Sequence, residues 1–383
     1  MITQPHITEL PPLSLYIHIP WCVRKCPYCD FNSHTTDIIP EALYIDALIA
    51  DLDQELESAQ GRPLHSIFFG GGTPSLFSAS GISRILTEVE RRIPFSTGIE
   101  ITLEANPGTV EQHKFSGYAT AGVNRLSIGV QSFNQTHLLS LGRIHNNVEA
   151  IAAATTAKKA GINNFNIDLM HGLPAQTQRE GLADIQQAID LEPTHISWYQ
   201  LTIEPNTVFY NSPPILPSND KLADIQEAGE ELLGNAGFNQ YEISAYSRGN
   251  RPSKHNTNYW LFGDYIGIGA GAHGKITDMN NQQIVRRWKT RSPKDYLSSE
   301  AGFIAGDRLL QAAELPLEFL MNGLRLNAGF SEDVFTARTG LGFSSIESEL
   351  EQLIAKKLLQ NSDGQISTTP MGRRFLNTIL EEF

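Results

Sequence analysis

Cys22, Cys26 and Cys29 are the only cysteines in 383 residues, and all three lie within the stretch "HIPWCVRKCPYCDFNSH". Their spacing is C-x3-C-x2-C, directly after the apolar run "LSLYIHI". Three thiolates on one loop can take three irons of a cubane cluster, leaving the fourth iron open to a small molecule. Two other chemistries share the pattern. A structural zinc needs a fourth ligand, which His34, five residues past Cys29, could supply. Cys26 and Cys29 alone form a redox C-x-x-C.

A loop that does such chemistry must be held by regular elements. Six β-rich apolar runs recur, near residues 14–20, 66–72, 99–106, 125–132, 165–172 and 195–202. Amphipathic helical stretches separate them, among them "PEALYIDALIADLDQELESA", "SASGISRILTEVERRI" with serine caps, and "NVEAIAAATTAKKAG" ending on Gly161. Strands alternating with helices predict βαβ units and a parallel sheet, open or closed into most of a barrel. "GGGTPS", "EANPG", "VQSFN" and "DLMHGLP" each follow a strand, at the rim where a (β/α) barrel carries its site. Turns alone would explain the Gly and Pro. Glu104, Gln131 and Asp168 at separate strand ends are more than turns require.

The pattern changes after about residue 240. "YEISAYS" predicts a further strand, and "KHNTNYWLFGDYIGIGAGAHGK" is rich in glycine and aromatics. From about 306, "DRLLQAAELPLEFLMNGLRLNAGF" and "FSSIESELEQLIAKKLLQ" predict helices, followed by a hairpin around "SDG" and a last helix. That arrangement resembles a winged-helix module. The expected organisation is therefore a core barrel over 1–240, a connecting region over 241–305 and a C-terminal helical module over 306–383.

Composition bounds the function. Hydrophobic residues at 40% and charged residues at 19% are those of a soluble globular chain. A net charge of −13 excludes nonspecific attraction to nucleic acid backbone. No basic n-region with an apolar h-region opens the chain, and no run reaches the ~18 apolar residues of a membrane span. Clustered, unpaired thiols fit a reducing, cytoplasmic setting.

The three-cysteine loop after a first strand, with Tyr28 before the last cysteine, and the glycine-rich "GGGTPS" after the second strand are similar to the radical S-adenosylmethionine (SAM) superfamily. "PPLSLYIHIPWCVRKCPYCDFNS", "FFGGGTPS", "EANPGT", "NRLSIGVQSF", "LGRIH", "DLMHGLP", "WYQLTIEPNT" and "HNTNYW" resemble the oxygen-independent coproporphyrinogen III oxidase family, most of all its heme chaperone branch. The resemblance spans nearly the whole chain. It implies an α/β fold, a partial (β/α)6 TIM-like radical SAM barrel with a C-terminal winged-helix-like module. It implies that Cys22, Cys26 and Cys29 bind a [4Fe-4S] cluster. Tyr16, Gly71, Gly72 and Thr73 would line the SAM site with Glu104, Gln131, Arg143 and Asp168. Glu104 and Asp168 could accept from an amino group or ribose hydroxyls, and Arg143 could pair with a carboxylate.

The departures choose the branch. The oxidases carry a further cysteine two residues past the third cluster ligand, where this chain has Phe31, and a longer segment before the cluster motif. "HNTNYW" resembles the H-N-x-x-Y-W motif of the chaperone branch. It implies His255 as a heme ligand, with Tyr259 and Trp260 against the porphyrin face; His273 in "GAGAHGK" is a further candidate. The implied function is heme binding and transfer to apo-hemoproteins, gated or driven by the cluster and SAM. The alternative is decarboxylation of two propionates of coproporphyrinogen III. A respiratory acceptor would imply peripheral membrane contact, although no amphipathic basic helix stands out.

Overall fold

A computed structural model describes residues 4–108, 112–299 and 302–383; Thr109 of the "EANPGT" motif lies outside them. Six parallel strands form the centre: β1 (Leu13–Ile19), β2 (Leu64–Gly71), β3 (Phe95–Ala105), β4 (Arg125–Gln131), β5 (Phe165–His171) and β6 (His195–Gln200). They pair in sequence order. All but one residue of β1 and of β5 are buried, as a strand covered on both faces requires. The connecting helices include α1 (Glu41–Ala59), α2 (Ala79–Arg92), α3 (Phe115–Ala121), α4 (Asn147–Lys159) and α5 (Gln178–Asp190). Capping boxes start α4 (Asn146 with Glu149) and α5 (Thr177 with Glu180). Gly161, with φ +84°, follows the end of α4. After β6 comes α6 (Asn219–Asn235).

The sheet continues beyond the sixth strand on both sides. A hairpin of β7 (Asn239–Glu242) and β8 (Ala245–Ser247) adds antiparallel to β6. The "KHNTNYW" stretch folds as the helix α7 (Lys254–Trp260). The chain then returns to the opposite edge, where β9 (Asp264–Ile268) pairs parallel with β1. From there β10 (His273–Asp278), β11 (Gln283–Lys289) and β12 (Ile304–Leu309) extend it antiparallel, to twelve strands in all. The run containing "DRLL", expected to open a helix, is the edge strand β12; the free edge of β11 offers ladder partners from Lys289 to Val285 that local propensity does not foresee.

Buried charge ties this extension to the barrel. Lys289 of β11 reaches Asp51 and Glu55 of α1, each at 2.6 Å, and the Tyr296 hydroxyl donates to Asp51 at 2.7 Å. Asp264 of β9 takes Lys275 at 2.9 Å and Arg62 at 2.7 Å.

The C-terminal module has its own core around Phe319, Phe335 and Leu350. It consists of α8 (Leu315–Gly323), α9 (Glu332–Thr339), α10 (Glu347–Ala355), a three-stranded sheet of β13 (Phe330–Ser331), β14 (Leu359–Ser362) and β15 (Gln365–Thr368), and two short terminal helices, α11 (Pro370–Arg374) and α12 (Leu376–Leu380), where one last helix is expected. The hairpin turns at Asp363 and Gly364, both with positive φ, as the "SDG" sequence predicts. Among the described residues, no helix is long and apolar enough to cross a membrane.

Candidate functional site

Residues from the C-terminal ends of all six parallel strands meet around one cavity of about 430 Å³. Cys22 follows β1, Gly71 ends β2, Glu104 lies near the end of β3, Gln131 ends β4, Asp168 is in β5 and Tyr199 in β6. Flat, six strands would spread these over about 24 Å. Their convergence requires a curled sheet, a partial barrel with its site at the expected rim.

The cysteine loop is bolted to the end of β2. Gly72 N–H donates to the Ile19 carbonyl at 2.7 Å and Thr73 N–H to the Trp21 carbonyl at 2.8 Å. Such closeness excludes side chains. A Cβ on Gly72 would stand 2.5 Å from the Trp21 carbonyl oxygen, and one on Gly71, whose φ is +111°, 2.5 Å from the His18 ring. The three thiols are half-buried, free and lining the cavity. Burial raises the Cys22 and Cys29 thiols above their ordinary proton affinity. Thr73 Oγ1 donates to Cys22 Sγ at 3.5 Å, and Arg143 Nη1 to Cys26 Sγ at 3.7 Å. Thiols with polar donors, facing a cavity, are a donor set that fits an iron–sulfur cluster. His34, the fourth ligand that zinc would need, has its Nε2 3.3 Å from Asn32 Oδ1.

Beside the thiols, Arg143 donates to Asn106 Oδ1 and to the Gly129 carbonyl, each at 2.6 Å, and Asn106 donates to Thr73 Oγ1 at 3.1 Å. Asp168 accepts from Ser127 at 2.9 Å and Asn166 at 2.7 Å. Tyr199 donates to Gln131 Oε1 at 2.7 Å, and Gln131 itself is held at φ +70°. Asn106, Ser127, Asn166 and Tyr199 were not singled out from sequence. Asn106, Ser127 and Tyr199 stand in quoted motifs, which is the signal that could have found them; Asn166 carries no such mark.

Glu104 accepts the Gly71 N–H at 3.2 Å. Burial first, then the charge of Asp168, lifts its carboxyl from 4.5 to about 8. In that interval the folded chain holds a proton that the unfolded chain releases. The group's contribution to stability is therefore full below about 4.5 and is lost as pH rises through about 8. Glu104→Gln is expected to flatten this decline in the ligand-free protein. Denaturant midpoints at about pH 5 and about pH 9 check it; an unchanged slope would show that Glu104 is ionised throughout.

Tyr16 does not face this cavity. It lines a second one of about 670 Å³, with its hydroxyl 3.0 Å from His18 Nδ1. Gly71, Glu104 and Phe31 line both cavities, so the two adjoin. Of the three residues nominated for heme, Tyr259 alone lines either of these two cavities. His255 is 3% exposed, and its Nδ1 lies 3.0 Å from Ser66 Oγ. Burial, with Arg125 nearby, lowers its imidazole to about 3. Trp260 lies under the Arg325 guanidinium, 4.4 Å from it. His273, the further candidate, is exposed and lines the second cavity.

Residues 16–188 match the radical SAM superfamily, and residues 310–375 match the HemN C-terminal domain. The chain is 51% identical over 380 residues to the heme chaperone HemW of Haemophilus influenzae, covering 98% of each chain. It is 50% identical over 378 residues to that of Escherichia coli, covering 98% of this chain and 99% of the relative. Among solved structures, coproporphyrinogen III oxidase (HemN) from Escherichia coli, described as a radical SAM enzyme, superposes with a TM-score of 0.82 at 23% identity. That match covers 97% of this chain and 90% of the other, and shows a shared fold. With half its residues identical to such relatives along nearly the full length of both, the chain belongs to the heme chaperone HemW family of radical SAM proteins.

Proposed function

We propose that this protein binds heme and passes it to apo-hemoproteins in the cytoplasm, with a [4Fe-4S] cluster and SAM gating or driving the transfer. The observation that carries this reading is the pair of adjoining cavities, one lined by the three thiols and polar strand ends, the other by aromatic rings. Cys22, Cys26 and Cys29 hold the cluster. A cluster bound there, reduced by an external electron donor, would supply an electron to the sulfonium of SAM. The chain's own groups bind and orient. Backbone at Gly71 and Gly72 would permit close approach of the methionine moiety, and Arg143 would pair with its carboxylate. Glu104 and Asp168 accept from its amino group or ribose hydroxyls, with Gln131 and Thr73 completing the wall. A bound ammonium beside Glu104 favours the ionised carboxylate, so SAM and Glu104 ionisation support each other.

Phe31 speaks against decarboxylation. It stands, 59% exposed, between the two cavities, where the oxidases are expected to carry a cysteine. The test uses anaerobically reconstituted protein. Hemin should bind and then move to an apo-hemoprotein, in a manner altered by SAM and a reductant. Conversion of coproporphyrinogen III under the same conditions would replace this reading with the oxidase one.

A further inference from the structure

If the protein carries heme, as proposed above, a suitable site offers an apolar slot, an axial donor such as an imidazole with a free nitrogen, and a cation for a propionate. Aromatic rings dominate the wall of the second cavity: Tyr16, Phe31, Tyr259, Tyr265 and Trp288. Tyr259 and Tyr265 stack with centroids 4.1 Å apart, so each fixes the plane of the other's ring in the wall. The volume lies within the ~300–1,000 Å³ of small-molecule sites.

Three imidazoles lie in or near this wall, and their hydrogen bonds and burial together separate them. His18 has both nitrogens engaged, Nδ1 with the Tyr16 hydroxyl at 3.0 Å and Nε2 with the Asn32 carbonyl at 2.8 Å. His255 lies behind the wall, its ring 4.9 Å from that of Phe68 and 5.0 Å from that of Tyr259. Its backbone N–H is bound to Glu100 at 3.2 Å and its Nδ1 is beside Ser66, so it is a positioning residue for Tyr259. His273 opens β10 on the cavity surface, and among the described residues nothing bonds its ring nitrogens. The cations sort the same way. Arg286 is paired with Glu318 and Arg287 with Glu55, whereas Arg291 lines the cavity with no carboxylate on it among the described residues.

The geometry points to the second cavity as the heme site, with the His273 imidazole as the axial ligand of the iron and Arg291 as the partner of a propionate. Partial burial, then Arg286 and Arg291 nearby, lower the proton affinity of that imidazole, which favours the neutral form that ligates. Heme placed there lies against Gly71, Glu104 and Phe31, the wall shared with the thiol-lined cavity. Asn32, on the cysteine loop, donates to the Ala270 and Arg291 carbonyls at 2.9 Å each, so the loop that holds the thiols also braces this site.

The test is a hemin titration of the full chain, read by the Soret band and by quenching of tryptophan fluorescence. His273→Ala should lose the imidazole-ligated spectrum and bind on the order of tenfold more weakly or worse, and added imidazole should restore the spectrum. Arg291→Ala should weaken binding without changing the ligand spectrum, and Trp288→Phe should diminish the quenching. A His273→Ala protein with wild-type spectrum and affinity overturns the assignment while leaving heme binding intact. So does loss of the imidazole spectrum in folded His255→Ala with its retention in His273→Ala. A wild-type chain that fails to bind hemin overturns the functional reading itself.

Discussion

Cys26→Ser is expected to leave the reconstituted protein with almost no iron or acid-labile sulfide, against about four of each per chain in the wild type. The thiols are confined to one loop, and the sequence holds no fourth cysteine to replace one of them. A lost thiolate therefore has no substitute nearby. Serine offers a hard, protonated oxygen in place of a soft thiolate. Arg143, which donates to Cys26 Sγ at 3.7 Å, also loses a partner there. Anaerobic iron and sulfide analysis checks the result, and a variant holding a full cluster would remove Cys26 from the ligand set. Hemin titration of the same variant should change little, because His273 and Arg291 belong to other segments. A comparable loss of heme would show that Asn32 couples the two sites.

Lys289→Met should destabilise the protein by about 3–5 kcal/mol. Its ammonium sits between Asp51 and Glu55 at 2.6 Å from each, and none of the three side chains is more than 3% exposed. The substitution leaves two carboxylates buried together without that cation. Asp51 keeps the Tyr296 hydroxyl and the Gly269 N–H, and Glu55 keeps Arg287 at 2.7 Å, so the loss stops short of complete unfolding. Because β11 carries Trp288 and precedes Arg291, the second cavity should suffer first. Urea unfolding measures the effect; a loss below about 1 kcal/mol would mean that the pair is solvated.

Much of the site lies in short, contiguous motifs that a reading of sequence can reach. The thiols, the glycines after β2, Glu104, Gln131, Arg143 and Asp168 surround one cavity. Each stands in or near a motif after a strand, and a parallel sheet built of successive βαβ units must present those ends on one rim. Tyr16 illustrates the limit. Side chains alternate along a strand, and only the curvature of the sheet and the return of β9 beside β1 decide which cavity a given face meets. His255 illustrates it again. Its motif nominates a ligand, but α7 turns the ring inward between Phe68 and Tyr259. Helical phase at a single residue depends on what the helix packs against.

The sequence by itself determined the βαβ order of the first six units, the three-thiolate loop and the motifs that follow each strand, because these rest on spacing over a few residues and on apolar periodicity. Only the tertiary structure decided that β9 to β12 continue the sheet, that a second, aromatic cavity forms against the first, and that Lys289 meets Asp51 at a sequence separation of 238. Contacts of that kind are selected by the burial of charge and the pairing of free strand edges between distant segments, and no local pattern records them.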